Sequence, residues 1–147
     1  MAKVLIKKLN PVEHIENDEE ALNRVQQALK SGGYLFMSVP QHRFLWSHAD
    51  VIARHKRRYS RCELEKKLTS AGFEILFSSS FVSFLLPLMF ISRFSQRTEY
   101  DPKAEFCISR FANRIGMLVL YVELAMIKAG VRFPFGGSRI VVARVMK

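Results

Sequence analysis

The stretch LKSGGYLFMSVP, residues 29–40, decides the fold. Its first residues end a helical pattern, Gly32-Gly33 makes a turn, and residues 34–39 form a strand with almost no polar side chain. A strand that apolar belongs inside a sheet covered by helices on both faces, as parallel α/β strands are. Sheets of that kind carry a glycine-rich ligand loop after their first strand. Only 28 residues precede Leu29, and no such loop is among them. The pattern enters an α/β fold in its middle.

Upstream, KVLIKKL at residues 3–9 reads as a short strand, although Lys7 and Lys8 are unusual in a buried one. Asn17 then opens N-D-E-E, an N-cap answered by Glu20 three residues on. Leu22, Val25 and Leu29, with Ala21 and Ala28 beside them, share one helical face that Gly32 ends in the left-handed conformation.

Downstream, residues 41–59 read as a long loop, QHRFLWSHADVIARHKRRY, rich in histidine, arginine and aromatic rings. Loops of that length in a compact domain are usually functional. Ser60 and Glu63 make a capping box ahead of Leu64, Leu68 and Ala71, and Gly72 closes that helix. Residues 73–79 form a second strand. Residues 81–94 are apolar and interrupted by Pro87, so they form either a kinked helix or two short segments. A longer helix is expected over residues 103–129, with Pro102 at its start and Gly130 at its end. SRIVVARV, residues 138–145, is the last strand. The whole reads as one domain over 1–147, with an atypical start at 1–11 and an apolar helical insertion at 81–130.

Hydrophobic residues make up 49% of the 147 and charged ones 24%, which excludes a disordered chain. The formal charge of +10 favours acidic partners such as nucleic acid, anionic lipid or a phosphorylated substrate, or it reflects surface composition alone. Cys62 and Cys107 form no paired motif, in keeping with a reducing, cytoplasmic location. The longest apolar run, FVSFLLPLMFI at 81–91, is too short to span a bilayer.

The segment VEHIENDEEALNRVQQALKSGGYLFMSVP resembles the second half of a class I S-adenosylmethionine-dependent methyltransferase. In that family an E-H-I stretch follows the fourth strand, and L-K-x-G-G leads into a fifth strand ending in V-P. The likeness continues through FLWSHAD, RRYSRCELEKKLTSAGFEI and FPFGGSRIVVARV, and so covers nearly all of the chain from Val12. The resemblance implies α/β architecture, a partial Rossmann-like sheet of strands four to seven with the last one antiparallel. It also implies S-adenosylmethionine as cofactor and methyl transfer to an unspecified acceptor. None of the seven glycines lies in a G-x-G array between a strand and a helix, so the cofactor loop is expected to be missing. Where the family has an acidic residue near the cofactor, this chain has Asn10 followed by Pro11.

By position the resemblance puts His14 near the methyl donor, as a general base or as a histidine packing the helix start. The loop after Pro40 becomes the acceptor wall, lined by His42, Trp46, His48 and Asp50, with Arg57, Arg58 and Tyr59 at its far end; Trp46 itself reads as a packing anchor rather than a stacking platform. Histidines 42, 48 and 55 match no zinc spacing, and no metal is expected. RHKRRYSR, residues 54–61, places five basic residues in eight, suited to a phosphate, a phospholipid head group or RNA, or to a solvated helix entry. No RNA-binding signature accompanies it, which makes nucleic acid a minor candidate. The apolar run at 81–91 and the stripe at 117–122 are read first as core, and otherwise as a membrane-peripheral surface receiving an anionic or lipid-linked substrate. Three functions compete: a methyltransferase incomplete as an isolated chain, a non-catalytic basic binding or scaffold module, and a peripheral membrane protein. A raw sheet edge predicts a homo-oligomer, or a partner chain supplying the missing half.

Overall fold

The computed structural model describes residues 12–95 and 109–146. Their secondary structure comprises β1 (Tyr34–Pro40), β2 (Phe73–Phe81) and β3 (Ser138–Val145), with helices α1 (Asp18–Ala28), α2 (His48–Ile52), α3 (Arg61–Ser70), α4 (Leu86–Ser95) and α5 (Arg110–Lys128). The strand expected over 3–9 lies outside the described residues, as do Asn10, Pro11, Pro102 and the first part of the helix expected from 103.

The described strands form one sheet in the order β1-β3-β2. β3 is antiparallel to both neighbours, with Phe36 opposite Val142 on one side and Phe73 opposite Val145 on the other. β1 and β2 therefore run in the same direction, and the last strand is inserted between them the other way round. This is an α/β sheet with flanking helices and an antiparallel final strand, as expected.

Alternation explains which face is covered. Leu35, Met37 and Val39 of β1, with Val141, Ala143 and Val145 of β3, point to one side. There they meet Leu22 of α1, Leu64 and Leu68 of α3, and Phe73 in a single buried cluster. Each such side chain, fully buried, contributes about 1.5–3 kcal/mol. The opposite side of β1 is open: Phe36 is 43% exposed and Ser38 is also exposed. The expectation of helices on both faces is thus corrected for this strand. Its neighbour β3 is antiparallel, and an antiparallel pair tolerates one wet face.

The helix ends follow local chemistry. The Asn17 side chain accepts from the Glu20 N–H (3.2 Å) and donates to its carboxylate (3.0 Å). Ser60 likewise caps α3 through the Glu63 N–H, but the Glu63 carboxylate turns to Arg43 at 3.3 Å, so only half of the expected box forms. Gly32 and Gly72 end the helices with φ of 75° and 84°. The expected long loop at 41–59 contains a 3-10 turn (Arg43–Leu45) and the five-residue α2, both too short to show a period. Pro87 lies in the first turn of α4, so residues 86–95 make one helix that begins at the proline.

The core reading of residues 81–91 and 117–122 is corrected: none of them is fully buried, Val119 and Leu120 are half-buried, and Leu88, Ile91, Leu118 and Tyr121 are exposed. In α5 only Glu123 is buried, its carboxylate accepting from the Ser83 N–H at 2.9 and 3.0 Å. Docking through that carboxylate turns Phe111, Ile115, Leu118 and Val122 outward, with Phe111 74% and Leu118 64% exposed.

Candidate functional site

The segment that follows the carboxyl end of β1 is organised around one buried carboxylate. Asp50, 2% exposed, receives the Arg58 guanidinium in a paired contact, Nε to Oδ1 at 3.0 Å and Nη2 to Oδ2 at 2.9 Å. It also accepts from His55 Nδ1 (2.9 Å) and from the Ser47 N–H (2.9 Å). Burial pushes the Asp50 carboxyl up, but the Arg58 and His55 hydrogen bonds outweigh it and hold it below its ordinary value. Arg58 reaches back to the Gln41 carbonyl at 3.1 Å and so ties the loop to the strand end. Gln41 in turn accepts from the Ser80 hydroxyl (2.7 Å), bridging β1 to β2.

A second clamp holds the other end. Tyr59, 1% exposed, donates its hydroxyl to Asp18 at 2.8 Å, and Lys67 donates to both oxygens of the same carboxylate at 2.7 Å. Burial, then the bond to Asp18, pushes the Tyr59 phenol well up. Arg57 approaches Asp18 at 3.2 Å and donates to the Glu16 carbonyl at 2.6 Å.

Between the clamps lies an open groove of about 490 Å³ lined by Arg43, Trp46, Lys56, Arg57, Arg58 and Glu63. Four cations, one carboxylate and the protein's one tryptophan line it, and each cation also meets a carboxylate: Arg43 that of Glu63, Lys56 that of Glu16, Arg57 that of Asp18 and Arg58 that of Asp50. Such a lining suits an anion with a planar or aliphatic portion to lie on the ring. Of the seven residues expected on the acceptor wall, Trp46, Arg57 and Arg58 line this groove. Asp50 and Tyr59 are buried behind it as its supports. His48 is exposed on α2. His42 sits apart, at φ 61°, its ring stacked on Phe44 (4.9 Å) and Phe135 (5.8 Å). Burial, with Arg139 and Arg58 nearby, lowers the affinity of His42 for a proton. Its Nε2 has no hydrogen-bond partner among the described residues.

His14 lies elsewhere, edge-on to His55 at 4.9 Å between ring centroids. Its Nδ1 is 3.0 Å from the Arg54 carbonyl. Glu13, beside it, is 6% exposed, and burial pushes its carboxyl above the ordinary range.

Sequence reasoning missed Arg43, which reaches the groove from the 3-10 turn, and Arg139, a 1% exposed guanidinium on β3. The unbroken alternation of SRIVVARV, with Arg139 in a buried position, was the available signal for the second. Among the described residues no glycine-rich turn leads out of a strand into a helix. Gly33, Gly72 and Gly137 all lead into strands, whereas a nucleotide cradle needs glycines leading out of a strand into a helix.

No family model matches this sequence, and no curated protein matches it. Solved structures with a similar fold include a Haloferax volcanii putative methyltransferase in complex with the Trm112 methyltransferase activator (15% identity, TM-score 0.49). Another is Haemonchus contortus phosphoethanolamine N-methyltransferase 2 in complex with S-adenosyl-L-methionine (14% identity, TM-score 0.48). A third is the [4+2]-cyclase SpnF (19% identity, TM-score 0.45). The alignments cover 92%, 94% and 93% of this chain, but 50%, 32% and 48% of those chains. The protein described here thus spans a third to a half of the structures it matches.

Proposed function

We propose that this chain supplies the acceptor side of an S-adenosylmethionine-dependent methyl transfer, and that the acceptor is anionic. The observation that carries the proposal is the cationic groove of Arg43, Lys56, Arg57 and Arg58 around Trp46, built by the segment beyond the carboxyl end of β1. Open α/β sheets bind their ligands at that end. Two features support the methyltransferase part: the inserted antiparallel final strand and the GG…VP and RRY-S-R-x-E-L segments. Cofactor contacts then come from residues outside the described ones, Asn10 and Pro11 among them, or from a further chain. The outer edge of β1 is unpaired among the described residues and suits a further strand, from this chain or from another.

Two titrations separate the parts. Calorimetry with S-adenosylhomocysteine separates the two sources: saturable heat with this chain alone assigns the cofactor contacts to its own residues outside the described ones, and none at millimolar ligand assigns them to a further chain or leaves a basic binding module. Trp46 fluorescence, titrated with inorganic pyrophosphate, is expected to change saturably. Arg57→Ala is expected to weaken that binding about tenfold, the scale of one charge-assisted hydrogen bond. An unaltered titration in the variant overturns the groove as the acceptor site.

A second reading, a peripheral membrane protein receiving a lipid-linked acceptor, is favoured by the outward apolar face of α5. No helix among the described residues is long and apolar enough to cross a membrane, so the contact is with a surface.

A further inference from the structure

The structure assigns a divalent transition-metal site to Glu13, His14 and His55, separate from the basic groove. One ligating atom from each of the three lies within 4.8 Å of the other two. The surrounding hydrogen bonds select which nitrogens are free. His14 Nδ1 faces the Arg54 carbonyl at 3.0 Å, and a carbonyl oxygen only accepts, so that nitrogen carries the hydrogen. His55 Nδ1 faces the Asp50 carboxylate at 2.9 Å, which likewise only accepts when ionised. Both imidazoles, when neutral, are held in the tautomer whose Nε2 bears the lone pair.

Ligating histidines are oriented this way, the far nitrogen bonded to a carboxylate or a backbone carbonyl. The third group fits the pair. Glu13 is buried, and its Oε2 has no hydrogen-bond donor among the described residues. Nε2 of the two histidines and Oε2 of Glu13 are thus the atoms left without a hydrogen-bond role among the described residues, in three residues whose ligating groups come within 4.8 Å of one another. Two imidazoles and one carboxylate suit Zn2+ and its neighbours in the first transition row, and leave at least one coordination position for water or an acceptor oxygen. The scaffold is anchored: the Lys56 N–H donates to the Glu13 carbonyl at 2.6 Å, joining the turn Val12–His14 to the loop that carries His55. Asp50 is itself fixed by Arg58, so the His55 ring is held from behind.

The site was not legible as a spacing. His14 and His55 are 41 positions apart, and no zinc motif joins them.

The test is titration of ZnCl2 into the untagged, chelator-treated protein, read by calorimetry and by imidazole nitrogen NMR. One equivalent is expected to bind with micromolar or tighter affinity, shifting the Nε2 resonances of His14 and His55 and leaving those of His42 and His48 in place. His55→Ala and Glu13→Gln are expected to weaken binding at least about tenfold, the lower bound for disturbing a metal's ligand environment. The NMR readout uses the unaltered protein, so a variant that misfolds does not obscure the result. Absence of saturable binding at millimolar Zn2+, or shifts confined to His42 or His48, overturns the assignment. Equal affinity in wild type and both variants does so as well.

Discussion

At the scale of single residues, Asp18 is the clearest example of burial made tolerable by partners. Its carboxylate is 3% exposed, yet it accepts from Tyr59 and from Lys67 and lies beside Arg57. Burial alone raises its pKa; the Lys67 and Tyr59 hydrogen bonds reverse the sign and leave it below the ordinary 3.8. The folded protein therefore releases this proton more readily than the unfolded chain does. Its contribution to stability is complete above the unfolded value and disappears as pH falls through the lower, folded one. Urea unfolding measured from neutral pH downward is expected to show that loss in the wild-type protein. Asp18→Asn is expected to be less stable at neutral pH and to lose less on acidification, so that the two curves converge. Curves that stay parallel through the acid range would show that Asp18 carries none of the acid sensitivity.

At the scale of elements, much of the order was readable in advance. The caps at Asn17 and Ser60, the left-handed glycines at 32 and 72, and the alternation of residues 138–145 are local signals, and each element they mark is present. Pairings that need a partner's position were not legible. Asp50 and Tyr59 look like loop polar groups until Arg58 and Asp18 are seen to bury them. The outward turn of α5 depends on Glu123 meeting a backbone N–H forty residues earlier, which no local pattern encodes. The groove was partly legible, because RHKRRYSR announces the charge but not Arg43 or the direction of Trp46. A tight approach of the same non-local kind occurs where the chain enters β3. A Cβ on Gly136 would lie 2.5 Å from the Phe81 carbonyl oxygen and 2.9 Å from the Ser80 Cβ. Backbone cannot yield there without displacing the end of β2. Gly136→Ala is expected to destabilise the fold by about 1–3 kcal/mol, the usual cost of overpacking. In contrast, Gly116→Ala on α5, where a Cβ meets nothing within 4 Å, is expected to be neutral or stabilising. Equal denaturation midpoints for the two variants would contradict this account of the β3 entry.

At the scale of the whole molecule, the net charge of +10 and the outward face of α5 bear on the same partner. Phe111, Ile115, Leu118 and Val122 follow one another at helical spacing on one exposed stripe. Arg110, Arg114 and Lys128 fall along one flank of that stripe, and the sole acidic residue of α5, Glu123, is turned inward. An exposed apolar stripe edged by cations alone matches the interface of an anionic bilayer, where each basic residue near the surface contributes about 1 kcal/mol. A second copy of the same face would bring like charges together. The protein is therefore expected to co-sediment with vesicles containing phosphatidylserine, and to do so less as salt is raised. Leu118→Glu, at a position already 64% exposed, leaves the fold intact while removing apolar area and adding a repelled charge. It is expected to lower vesicle affinity by at least about tenfold, since burying one leucine side chain is worth about 1.5 kcal/mol or more. Equal binding to neutral and anionic vesicles would remove the electrostatic half of this reading. Unchanged binding by Leu118→Glu would remove α5 as the contact. Sedimentation of the wild-type protein as a dimer that Leu118→Glu converts to monomer would instead assign the stripe to self-association, with the repulsion between its arginines overcome by the apolar area buried.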